Sequence, residues 1–134
     1  MKKSCTILSV FILVIVLVGC SSTSVKDIKA DYFDIGYGSS LYEGLNKVDE
    51  ETVKLLVNHY NELKTIGTTT EEINYEQAIT ITFIYNDQIS GQIVCDDKSI
   101  CYLSNLNEYY RVSDESKIYD VALNVYEDVK EKYE

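Results

Sequence analysis

The side chains that could do chemistry in this 134-residue chain are four cysteines, one histidine and 22 carboxylates. A hydrolase triad needs a base that takes the nucleophile's proton near neutral pH. His59 is the only histidine. It falls beside the apolar stripe of a helical segment with no supporting motif, so the expectation is a partly exposed helix histidine. A zinc site would need Cys/His clusters at two- to four-residue spacing. Cys95 and Cys101 are separated by five residues and have no partner pair. Paired carboxylates run glycosidases, but with so many acids any pairing is uninformative, and a small domain has little room for a sugar cleft. Asp27, Asp31 and Asp34 lack the alternating Asp/Asn-Gly pattern of a calcium loop and read as solvated edge charges. The Gly/Tyr/Ser-rich stretch 36–44 is neither a phosphate loop nor a Gly-x-Ser-x-Gly elbow. No catalytic residue, metal or cofactor is therefore expected. In that stretch Tyr37 and Tyr42 are the candidate binding residues, because adaptable binding loops combine rigid tyrosines with permissive glycines. The competing reading is a connector with its tyrosines folded onto the core.

The other two cysteines belong to the first 20 residues. Lys2 and Lys3 form a basic start, and residues 7–18 are apolar apart from Ser9. That is the pattern of a secretory signal, too short for a membrane span of roughly 20 apolar residues. Leu17-Val18-Gly19-Cys20 resembles the lipobox of bacterial lipoproteins. The resemblance implies cleavage between Gly19 and Cys20, a diacylglyceryl group on the Cys20 thiol, and a lipid anchor at the outer face of the cell membrane. Two acyl chains suffice for stable anchoring. On that reading residues 1–19 are signal peptide, 20–24 a lipidated cysteine and polar tether, and 25–134 one α+β domain.

Cys95 and Cys101 are then the cysteines left, outside the cytoplasm where disulfides persist. Two registers compete. A three-residue loop at Asp97-Lys98-Ser99 sets the two cysteines opposite each other, and a disulfide between them becomes feasible. A two-residue loop at Asp97-Lys98 pairs Cys95 with Ile100 and forbids it.

The mature part would carry 10 basic and 22 acidic side chains. Such a surface disfavours nucleic acid and anionic lipid headgroups. It suits a cationic protein or peptide partner, or simply solubility. The chain is rich in Ile, Tyr, Lys and Asn and has no proline or tryptophan, a bias that suits an AT-rich genome.

The elements that would position these residues follow from periodicity. An imperfect alternation over 28–35 predicts a first strand. A helix is expected over 50–64, with Asp49 as N-cap, Val48 and Val53 as a hydrophobic staple, and Gly67 closing it. Its apolar stripe is Val53, Leu56, Val57, Tyr60 and Leu63. Period-two alternation from Ile79 predicts a four-stranded antiparallel meander, with Asn86-Asp87-Gln88 as the first turn. That turn pairs Tyr85 with Ile89, Phe83 with Gly91 and Ile81 with Ile93. A last helix should start near Asp114, capped by Ser113, and fray from Lys130. The fold class is α+β, with both helices on one face of the sheet. The order resembles small surface lipoproteins of Gram-positive bacteria, in which a helix precedes a meander ending in a Tyr-Tyr-basic strand, here Tyr109-Tyr110-Arg111. That resemblance implies no activity and no site residues. The expected function is a non-enzymatic, membrane-anchored binding or accessory domain, immunity- or inhibitor-like. The alternative is a small cell-envelope hydrolase or ligand-binding enzyme subunit.

Overall fold

A computed structural model describes residues 23–24 and 26–134. Cys5, Gly19 and Cys20 lie outside them, and with them the expected signal peptide and lipidation site. The fold is α+β. Strands β5 (Ile79–Tyr85), β6 (Gln88–Cys95), β7 (Ile100–Leu103) and β8 (Glu108–Val112) form the meander that the alternation predicts. The sheet is larger than the sequence suggests. β2 (Tyr32–Tyr37) and β3 (Ser40–Tyr42) extend it beyond β5, and β4 (Lys64–Thr68) extends it beyond β8. These seven antiparallel strands gain an eighth at the β4 edge, the two-residue β1 (Thr23–Ser24).

Each added strand has a local cause. Residues 36–44 form a hairpin rather than a loop: Gly38, at φ +58°, supplies the turn and Tyr37 pairs with Ser40. Just beyond it Gly44 donates its N–H to Asp34 Oδ1 at 3.0 Å, and a Cβ there would overlap the Phe33 carbonyl. The first strand begins at Tyr32 because Ile28 is tied elsewhere: its N–H and C=O both bond the Asn61 amide, at 2.8 and 3.2 Å. Helix α1 (Glu50–Asn61) starts as expected, with Asp49 Oδ1 accepting the Thr52 N–H at 2.7 Å. It stops three residues earlier than the pattern predicts. Thr65, Ile66 and the threonines beyond favour extended backbone, and Gly67 (φ +142°) sits at a bulge in β4 instead of closing the helix.

The first meander turn also departs from expectation. Asn86 and Asp87 both adopt positive φ, so the turn has two residues and pairs Tyr85 with Gln88. Such turns match the natural strand twist. Ser90 then bulges, its hydroxyl donating to the Lys29 carbonyl at 2.7 Å, and the expected pairs Phe83–Gly91 and Ile81–Ile93 are restored. Helix α2 (Ile118–Glu131) begins four residues late. Ser113 caps a turn, its Oγ and C=O accepting the N–H groups of Glu115 and Ser116 at 3.3 and 2.9 Å. The other end does not fray: Lys132 donates to the Lys47 carbonyl at 2.6 Å and the Tyr133 hydroxyl to the Glu43 carbonyl.

Both helices pack on one face of the sheet. Phe83 is central there, with Phe33 and Tyr60 edge-on at 6.4 and 5.4 Å. Opposite Phe83, Gly91 leaves room for Tyr60, whose hydroxyl would stand 3.3 Å from a Cβ at that position. The other face is partly covered by residues 69–78, where Ile73 and Ala78 pack on Ile100 beside Val94 and Tyr102.

Between β6 and β7 the three-residue loop prevails. Cys95 faces Cys101 with Cα atoms 4.2 Å apart and the sulfurs at bonding distance, on the helix-covered face. Asp96 decides the register. Its Oδ1 accepts the N–H groups of Lys98 and Ile100 at 2.9 and 3.1 Å, while Ser99 takes the left-handed conformation the loop requires (φ +64°). We therefore expect Cys95 and Cys101 to resist alkylation in the intact chain until a reductant is added, as read by peptide mass. Reduction should lower stability by about 2 kcal/mol, since the closed loop is short. Alkylation of both without reductant would contradict the pairing.

Candidate functional site

A broad concavity lies between the two helices. His59 and Glu62, late in α1, share a depression with Lys117 at the start of α2, while Lys132 after α2 bonds Lys47 before α1. The helices therefore run antiparallel. Where the start of α1 meets the second half of α2 they leave a groove of about 770 Å³. Val48, Leu55, Val121, Val125 and Val129 give it an apolar lining; Asp49, Asp128 and Glu131 stand on it with a single cation, Lys132. Leu55 is 44% exposed. Asp49 is held below the usual carboxylate range by its hydrogen bonds from Thr52, so it stays ionised as a helix cap. That is opposite to the raised pKa of a general acid.

Beside the groove is a tyrosine cluster that includes the two sequence-derived candidates. The Tyr37 ring lies 5.7 Å from Tyr126; Tyr42 lies 5.6 Å from Tyr126 and 5.2 Å from Tyr133. Both are half-buried against the core, and the Tyr37 hydroxyl donates to Gln77 Oε1 at 2.7 Å. Nearby, Tyr119 donates to the Gln77 carbonyl at 2.8 Å. Burial first, then the Tyr37 hydroxyl and the charges of Asp97 and Asp96, push its pKa up to about 12. Lys47 stands over the Tyr133 ring, 5.2 Å from its centre. The cluster thus joins the β2–β3 hairpin to α2.

The partly open sheet face carries a second aromatic group. Tyr102 and Tyr109 are cross-strand partners with rings 5.2 Å apart, and the Tyr109 and Tyr75 hydroxyls are 3.3 Å apart. Arg111 pairs with Glu71 alongside. Tyr75, Tyr109 and Glu71 border a depression of about 470 Å³ there, with Thr69, Thr70 and Ile73. Period-two placement of Tyr102 and Tyr109 on neighbouring strands is the group's signal in the sequence; Tyr75 comes from the irregular 69–78 segment and has none.

His59 lies in a depression of about 390 Å³ with Glu62, Ser113 and Ser116. Among the described residues no hydrogen bond joins it to a serine or carboxylate, and Ser113 Oγ is engaged by the Glu115 N–H. Cys95 and Cys101 are 3% and 1% exposed, which makes them a buried staple rather than reactive thiols. Among the described residues no three His, Cys, Asp or Glu side chains are arranged to hold a metal ion. Asp31 and Asp34 clamp backbone instead, accepting the N–H groups of Asn86 and Gly44 at 2.9 and 3.0 Å.

The packing of Tyr37 and Tyr42 gives a stability expectation. The double variant Tyr37→Ala, Tyr42→Ala should unfold at lower urea, with a loss of about 2 kcal/mol or more from lost ring contacts and burial. An unchanged midpoint would show that these rings contribute only to the surface. Comparison with protein-family models, curated proteins and solved structures finds no match to this chain.

Proposed function

We propose that the protein is a lipid-anchored accessory protein at the outer face of the cell membrane, whose domain binds a cationic protein or peptide in the manner of an immunity or inhibitor lipoprotein. The observation that carries the binding half is the apolar groove bordered by Asp49, Asp128 and Glu131 on a chain of net charge −10. Charge complementarity of this kind steers encounter and rejects anionic partners. The anchoring half rests on Leu17-Val18-Gly19-Cys20 behind a basic start and an apolar run. The tyrosine group of Tyr75, Tyr102 and Tyr109 supports the same reading, since large amphipathic rings with fixed partners serve recognition better than bond-making.

Two measurements test this. Alkyne-tagged fatty acid should label the full chain in a Gram-positive host and leave Cys20→Ala unlabelled; equal labelling of the two would end the anchor reading. The full chain, used as bait in solubilised native envelope, should retain a basic protein that is released as ionic strength rises, because exposed charge attraction is screened within about 8 Å at physiological salt. Retention of acidic proteins only, or release indifferent to salt, would remove the cationic partner.

A further inference from the structure

We infer that the groove between α1 and α2 takes a cationic amphipathic helix, seated as a third helix with its apolar stripe on Val48, Leu55 and Val121 and its basic residues toward Asp128 and Glu131. The inference deepens the binding function proposed above and rests on it. Three observations converge. The first is shape. Two antiparallel helices with a groove between them, walled by apolar side chains and bordered by polar ones, are the kind of site an amphipathic helix fills with residues at i, i+3, i+4 and i+7. Leu55, at 44% exposure, is a large apolar side chain on its wall.

The second is charge. The cations near the acidic end are already engaged. Lys54 pairs with Glu50 at 3.1 Å, Lys130 with Glu134 at 3.9 Å, and Lys132 donates to the Lys47 carbonyl at 2.6 Å. Among the described residues Asp128 and Glu131 have no ion pair, and both are exposed. The carboxylates are too dispersed for a metal site. They fit several separate cationic side chains, as a basic helix would offer.

The third is a local conflict. Asp128 and Glu131 stand in the last turns of α2, where the helix dipole disfavours negative charge. Lys130 and Lys132 offset this only in part, since Lys130 pairs with Glu134 and Lys132 is held at the Lys47 carbonyl. A bound cationic segment would complete the compensation, and positions that break a local rule are where function is expected.

The test uses the full chain in nanodiscs of zwitterionic lipid, with empty nanodiscs as blank. The probe is a fluorescent Leu/Lys peptide of about four helical turns with apolar residues at 3.6 spacing, and its Leu/Glu counterpart. The Lys peptide should bind and the Glu peptide should not. Asp128→Asn with Glu131→Gln should weaken binding about tenfold and flatten its salt dependence. Leu55→Ser should weaken it without changing the salt dependence. All three side chains are exposed, and far-UV circular dichroism checks that each variant is folded. Binding of the Lys peptide that all three substitutions leave unchanged overturns the groove while sparing a cationic partner elsewhere. Failure of the Lys peptide to bind, or equal binding of both peptides, overturns the groove as a site for a cationic helix, while the cationic-partner reading stands or falls on the salt-released retention from the envelope.

Discussion

The buried carboxylate of Asp96 holds together parts of the chain that are distant in sequence. One oxygen accepts the N–H groups of Lys98 and Ile100 and so closes the β6–β7 turn in one register. The other accepts the Asn74 N–H at 3.0 Å and pins the 69–78 segment over the open sheet face. A carboxylate 1% exposed would be costly without such partners. With three N–H donors it is satisfied, and any slip of the turn would strand it. A one-residue slip would also send the cysteines to opposite faces of the sheet. The cross-strand Cys95–Cys101 pair, the second small core around Ile73 and Ile100, and the placement of Tyr75 beside Tyr109 all depend on this turn.

The meander was legible because its strands alternate cleanly and its turns are short. The start of α1 was legible because Asp49 and the stripe of Val53, Leu56 and Tyr60 give two independent signals. β3 and β4 were not. Ser40–Tyr42 and Lys64–Thr68 are short and half polar, and their pairing is fixed by partners far away in sequence rather than by their own pattern. Tertiary demand also moved the helix starts and stops. Asn61, the last residue of α1, pairs its side-chain amide with the Ile28 backbone, and Ser113 caps a turn instead of α2. The aromatic content of the 36–44 stretch was evident, but not its use: whether a tyrosine is an anchor or a wedge depends on whether a helix lies behind it, and here Tyr126 does.

The groove could not be read from either helix alone. Each presents an ordinary amphipathic stripe, and the apolar residues lining the slot continue those stripes. What creates it is the packing of the start of α1 beside α2, at the end where Lys132 and Tyr133 bond the carbonyls of Lys47 and Glu43. The acids along it look like solubilising charge in the sequence; only the fold shows Lys54 and Lys130 paired with their own neighbours and, among the described residues, Asp128 and Glu131 without an ion pair.

The order of strands also has a consequence for reach. The described chain enters at β1, on one edge of the sheet, while Tyr133, next in the chain to the groove-lining Lys132, stacks on Tyr42 of β3, on the other. Seven strand spacings of about 4.8 Å separate those edges by roughly 34 Å. With Cys20 in a bilayer as proposed, and the sheet standing upright, the acidic mouth would project several Debye lengths beyond the headgroups. Its field would then act on molecules arriving from the cell exterior, almost independently of the charge of the lipid beneath.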